Sequence, residues 1–128
     1  MRLLLDTHLL LWSVAASRRL PIAVRDLLLD REHTVLYSAA SVWEIAIKSS
    51  LARDDFRVDV PHLLRALVDT GFVELPITSQ HAAQVAALPD LHMDPFDRML
   101  IAQAFTEPAV LLTNDGQLGA YGPQIRVF

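Results

Sequence analysis

Arg2-Leu3-Leu4-Leu5-Asp6 opens the chain with an apolar run that stops on a carboxylate. A run this short with no polar alternation has no face to offer to water, so it fits a strand covered on both sides, as in a parallel sheet. Asp6 then stands at the carboxyl end of that strand. In open α/β sheets, ligands bind just beyond that end.

Outward from this strand, proline and glycine divide the chain into short alternating units, without repeats, low-complexity tracts or linkers. His8 to Ala15 is an apolar segment of helical length, and Pro21 precedes a second helix over Ile22 to Asp30. Thr34 to Tyr37 has the β-branched and aromatic content of a strand. Ser41 to Leu51 pairs Val42 with Ala46 and Trp43 with Ile47 at helical spacing. Pro61 to Asp69 reads as a helix capped by Gly71, Phe72 to Leu75 as a strand, and Thr78 to Leu88 as a helix halted by Pro89. Asp94 and Pro95 open a helix to about Thr106, with aspartate at the cap and proline at the first position. Ala109 to Thr113 is a fourth strand and Ile125 to Val127 a fifth. Such alternation indicates an α/β/α sandwich around a mostly parallel sheet of four to five strands.

The composition, 52% hydrophobic and 20% charged over 128 residues, fits one compact soluble domain over residues 1–128 and excludes a disordered chain. No apolar run approaches the ~18 residues that cross a bilayer. Asp6, Thr7 and His8 interrupt the opening run and no cleavage pattern follows, so a signal peptide is not expected and the location is expected to be cytoplasmic. The absence of cysteine removes disulfides, thiolate metal sites and thiol nucleophiles. A net charge of −4 argues against a broad phosphate-neutralising surface, so any polyanion must be held locally.

Acids are placed to provide a local site. Asp6 follows the first strand, Asp115 follows the fourth, and Glu44 and Asp97 lie in the first turns of helices expected to begin at the same edge. Each also has a local structural reading. Asp6 suits a helix cap or turn, and Glu44 suits a capping box with Ser41 and an ion pair with Lys48. Asp94 suits a cap, Asp97 the N-terminal end of a helix dipole, and Asp115 the turn of Asn114-Asp115-Gly116. Capping does not require the acids to meet. If they do meet, charges ~4 Å apart repel by about 4 kcal/mol at an effective dielectric near 20, which calls for a cation among them. Oxygen ligands without sulfur select hard ions, magnesium or manganese, and the chemistry is metal-assisted phosphoryl transfer.

Four stretches carry a resemblance: Leu3-Leu4-Leu5-Asp6-Thr7-His8, Ser41-Val42-Trp43-Glu44-Ile45-Ala46-Ile47-Lys48, His92-Met93-Asp94-Pro95-Phe96-Asp97-Arg98-Met99-Leu100-Ile101-Ala102-Gln103-Ala104, and Leu111-Leu112-Thr113-Asn114-Asp115. Together they resemble the PIN-domain proteins, and among these the VapC group of type II toxin-antitoxin ribonucleases. The resemblance covers essentially the whole chain, and its third stretch is the most specific. It implies a PIN fold and a magnesium- or manganese-dependent endoribonuclease whose acidic quartet maps onto Asp6, Glu44, Asp97 and Asp115. Asp6, Asp97 and Asp115 are the expected metal ligands, and Glu44 acts through water or by orienting it. Asp94 competes with Asp97 for the family position, and its role as a cap favours Asp97. Thr7 and Thr113 are candidate hydroxyl donors to ligand carboxylates; simple strand-end hydroxyls are the other reading. Arg98 is a candidate phosphate or acid partner, against the commoner fate of a solvated helix charge. An RNA substrate, a small cognate antitoxin and a homodimer are also implied.

Rival chemistries find little support. Five histidines lack zinc-site spacing, and only His92, near Asp94, stands where a metal role is worth testing. Lys48, the only lysine, is not placed after the last strand as a response-regulator receiver requires, and Asp6 is not followed by D-x-D phosphatase spacing. No P-loop, dinucleotide or G-x-S-x-G pattern occurs. Trp12, Trp43 and Phe96 are expected to pack in the core or a dimer interface instead of stacking on bases. The remaining alternative is a PIN-like binding scaffold without catalysis, which would be marked by loss of an acid. None is lost.

Overall fold

The computed structural model describes residues 1–51 and 58–128. Its elements run β1 (Arg2–Leu5), α1 (Thr7–Val14), α2 (Ile22–Leu29), β2 (Thr34–Ser38), α3 (Ala39–Ser50), α4 (Val60–Thr70), β3 (Val73–Leu75), α5 (Ser79–Ala87), α6 (Pro95–Thr106), β4 (Val110–Thr113) and β5 (Ile125–Val127). A 3-10 turn over Gly116–Tyr121 joins the last two strands. The five strands form one sheet in the order β3-β2-β1-β4-β5, and every pairing is parallel.

β1 is the central strand, and its side chains explain the three layers. Leu3 and Leu5 point into a cluster with Leu9, Leu10, Val24, Ile45, Leu63 and Leu67, contributed by α1 to α4. Leu4 points the other way, into a cluster with Leu88, Leu100, Ile101, Ala104 and Leu118. All three leucines are fully buried. The period of two along the strand thus divides a continuous apolar run between two cores, as the opening run requires. Among the described residues, no helix is long and apolar enough to cross a membrane.

Local chemistry sets most element ends. Asp94 accepts from the Phe96 and Asp97 amides with Pro95 at the start of α6, and Gly71 ends α4 at φ 79°, a left-handed cap. One expectation is corrected. Helix α3 begins at Ala39, where the Ser38 side chain caps it, so Ser41 and Glu44 form no capping box and lie inside the helix. Asp115 stands at a turn as expected: β4 and β5 are parallel, and its side chain accepts from the Gln117 amide to start the 3-10 turn. Of the two places expected for Trp43, it does not take the core, being 59% exposed with its ring 5.2 Å from that of Phe96.

Candidate metal centre

The all-parallel arrangement gathers the carboxyl ends of the strands at one edge, and the starts of the following helices with them. Asp6 is the last residue before α1 and caps it, its Oδ1 accepting from the Leu9 amide at 2.8 Å. Its Oδ2 accepts from the Thr113 hydroxyl at 2.5 Å and from the Asn114 amide at 3.4 Å, the last residue of the neighbouring strand β4 and the one after it. Burial pushes the Asp6 carboxyl above its ordinary value, opposed first by the Thr113 hydrogen bond.

Glu44 reaches the same edge from the second turn of α3 and is buried. The Thr7 hydroxyl donates to its Oε1 at 2.7 Å and Lys48 Nζ to its Oε2 at 2.8 Å, so the ion pair one turn along the helix forms as its spacing implies. α3 buries Ala40, Ser41, Glu44 and Ile45, while Trp43 and Ile47 face outward. A helix that turns a glutamate inward and a tryptophan outward is not folded around apolar burial alone.

Asp97 lies in the first turn of α6. Its Oδ2 meets His92 Nε2 at 2.9 Å. Burial raises the Asp97 carboxyl to about 6, the His92 hydrogen bond opposes the rise, and the Asp94 and Glu44 charges add to it. Asp115 lies beside Asp97: one ligand atom from each of His92, Asp97 and Asp115 can be chosen so that all lie within 4.8 Å of one another, a group that includes neither Asp6 nor Glu44.

Asp6, Thr7, Glu44, Lys48, His92, Asp97, Asn114 and Asp115 thus line one cleft of about 280 Å³, together with His8 and Asp94. All four acids of the expected quartet border it. Asp94 borders it too, but one of its oxygens is engaged by two helix amides. Thr7 and Thr113 both donate to carboxylates, Glu44 and Asp6 respectively. Arg98 is not the solvated helix charge expected of it. Its side chain is 14% exposed and donates to the carbonyls of Val85, Pro89 and His92 and to the Tyr121 hydroxyl, which pins the loop before α6. The feature that sequence reasoning underweighted is His92. It lacks zinc-motif spacing because its partner comes from the opening turn of the next helix.

The donor chemistry fits a divalent cation: carboxylates, one imidazole, no sulfur, and ligand atoms close enough to share one ion. A three-layer α/β/α protein with a carboxylate cleft at the carboxyl edge of a parallel sheet is the class this fold and site define. The model of the PIN domain matches residues 3–122, and the chain belongs to the PIN domain family.

No curated protein matches the chain. Among solved structures it is similar to VapBC2 from Rickettsia felis bound to a promoter DNA fragment (TM-score 0.74, 14% identity, 100% of this chain and 99% of that one). It is also similar to a toxin-antitoxin complex from Klebsiella pneumoniae (TM-score 0.68, 18% identity, 97% and 95%). A third likeness is a domain of a functionally unknown protein from Methanocaldococcus jannaschii (TM-score 0.60, 15% identity, 99% and 90%). At these identities the likeness is one of fold.

Proposed function

We propose that this PIN domain is the toxin of a type II toxin-antitoxin pair, an endoribonuclease that hydrolyses RNA phosphodiester bonds with Mg2+ or Mn2+. The observation that carries the reading is the arrival of Asp6, Glu44, Asp97 and Asp115, from four separate segments, at one cleft. PIN domains are generally nucleases, and the two toxin-antitoxin neighbours support an antitoxin partner.

In this reading Asp6, Asp97 and Asp115 hold the ion and Glu44 completes its shell, directly or through water, while Asp94 remains a helix cap. A divalent ion held there supplies polarisation of a phosphoryl oxygen and lowers the pKa of water. The protein's own groups prepare the place. Thr113 and the Leu9 amide orient Asp6, Thr7 and Lys48 orient Glu44, and Arg98 fixes the loop that carries His92. Five acids around one cleft on a chain of net charge −4 repel RNA until a cation inverts the local charge, so loading with metal precedes substrate. A small antitoxin protein and a second copy of the chain belong to the same reading. The exposed Trp43 and Ile47 of α3, with Leu51 just after it, offer apolar surface for such contacts.

The test is cleavage of RNA by purified protein with Mg2+ or Mn2+, with 5′ ends sequenced after induced expression in parallel. Wild type should generate new ends, and Asp6→Ala and Asp97→Asn should not. Cleavage by either variant at the wild-type rate, or none by the wild type with either ion, contradicts the proposal.

A further inference from the structure

The geometry points to His92 as a nitrogen ligand of the ion, which makes this a mixed imidazole-carboxylate centre that takes Mn2+ in preference to Mg2+. The inference rests on the metal-dependent reading above and goes beyond it, since an acidic quartet alone is an oxygen-only site.

Three observations carry it. First, a ring nitrogen of His92, a carboxylate oxygen of Asp97 and one of Asp115 fall within 4.8 Å of one another, a spacing at which one cation can touch all three. Second, the imidazole is already directed at the acids, 2.9 Å from Asp97 Oδ2, with its side chain only 15% exposed. It borders the same cleft as the other acids. Third, the backbone that carries it is held from outside the cleft. Arg98 donates to the His92 and Pro89 carbonyls from one guanidinium nitrogen and to the Val85 carbonyl from the other, and the Tyr121 hydroxyl donates to the Pro89 carbonyl as well. A surface histidine with no role would not need its loop fastened by a mostly buried arginine.

The chemistry follows from the donor type. Without a cation, the Nε2–Oδ2 contact is a hydrogen bond that holds Asp97 beside His92. Ligation through Nε2 uses that nitrogen's lone pair, so the proton shared in the Nε2–Oδ2 contact moves away as the ion binds, with Nδ1 carrying the ring proton of the ligating imidazole. Mg2+ prefers oxygen donors and gives up its water reluctantly, whereas first-row transition ions accept imidazole nitrogen readily. One nitrogen donor among carboxylates therefore shifts preference toward Mn2+ without excluding Mg2+.

Pulsed electron paramagnetic resonance of Mn2+ bound to the full chain, with Mg2+ competition measured by calorimetry, tests the inference without reference to cleavage. Wild type should show the hyperfine coupling of a directly bound imidazole nitrogen. His92→Gln, checked for an unchanged fold by circular dichroism, should lose that coupling and about tenfold or more of the Mn2+ over Mg2+ preference. Should His92→Gln not fold, Arg98→Lys is the second variant: it loosens the loop without removing the imidazole and should weaken the coupling. Mn2+ bound with no nitrogen coupling, or a coupling that persists in His92→Gln because His8 supplies it, overturns the assignment and leaves the nuclease reading intact. Failure of the wild type to bind either ion defeats that reading and this inference together.

Discussion

The Thr113 hydroxyl, at the end of β4, donates to Asp6 Oδ2 across 2.5 Å, so the last residue of one strand orients the carboxylate that follows its parallel neighbour. Both side chains are buried, and the hydroxyl also accepts from the Asp115 amide at 3.0 Å. One threonine thereby fixes Asp6 and the backbone of Asp115.

Replacing Thr113 with valine keeps the volume and removes that link. Asp6 is already pushed upward by burial, and Thr113 is the strongest opposing influence, so its carboxyl should rise further in Thr113→Val. Divalent affinity should fall about tenfold or more, by analogy with lost outer-shell partners. Calorimetric titration with Mg2+ checks this, and Thr113→Ser should restore most of the affinity. Unchanged binding in the valine variant would show that Thr113 does not orient a ligand.

Asp97 gives a prediction with a definite sign. Its folded value of about 6 lies above its ordinary 3.8, so the folded state holds this proton more tightly than the unfolded chain. The resulting stability is fully present below the ordinary value and is lost as pH rises through about 6. Metal-free wild type should therefore be less stable at pH 7 than at pH 5 from this group, and Asp97→Asn should remove that dependence. At 24% side-chain exposure the gain at pH 7 should be about 1–3 kcal/mol. Denaturant unfolding of both proteins at the two pH values measures it.

Away from the cleft, Gln103 on α6 is fully buried, accepts from the Ser38 hydroxyl at 2.5 Å and donates to the Pro76 carbonyl at 3.3 Å. Ser38 caps α3, which carries Glu44. Gln103→Leu should cost about 2–3 kcal/mol through unsatisfied polar groups, visible as a lower Tm. It should also weaken divalent binding, because α3 and α6 lose a tie. An unaltered Tm would mean that these groups find other partners.

The Glu107 carboxyl is held below its ordinary value, chiefly by His81, whose Nε2 lies 2.6 Å away, and also by Arg2. The sign is opposite to that of Asp97: this stability is present above the ordinary carboxylate range and is lost as pH falls below it. Glu107→Gln should flatten the acid limb of the stability curve without altering ion binding, as followed by denaturant unfolding between pH 3 and 7.

Much of the architecture was legible because short apolar runs in a parallel sheet leave few alternatives. Leu3 to Leu5 implied burial on both faces, and two separate cores receive them. The start of α3 was misread because Ser41 and Glu44 mimic a capping box, whereas Ser38 satisfies the helix amides three residues earlier. The outward Trp43 and inward Glu44 reverse the amphipathic rule, since α3 is positioned by the link from Glu44 to Thr7 of α1 as well as by apolar burial. At the site, Asp6 and Asp115 were legible from their places after strands and Asp97 from the first turn of its helix, whereas Glu44, expected in a first turn, lies in the second turn of α3. His92 and the fastening by Arg98 were not, because their partners are set by the path of the loop and not by residue spacing.

Anomalous diffraction from crystals soaked in Mn2+ tests the central claim most directly. A peak is predicted inside the cleft, in ligand contact with Asp6, Asp97 and Asp115, and absent after the same soak of Asp97→Asn. A fully soaked crystal with no peak in that cleft, or one whose ion touches none of these carboxylates, would contradict the account.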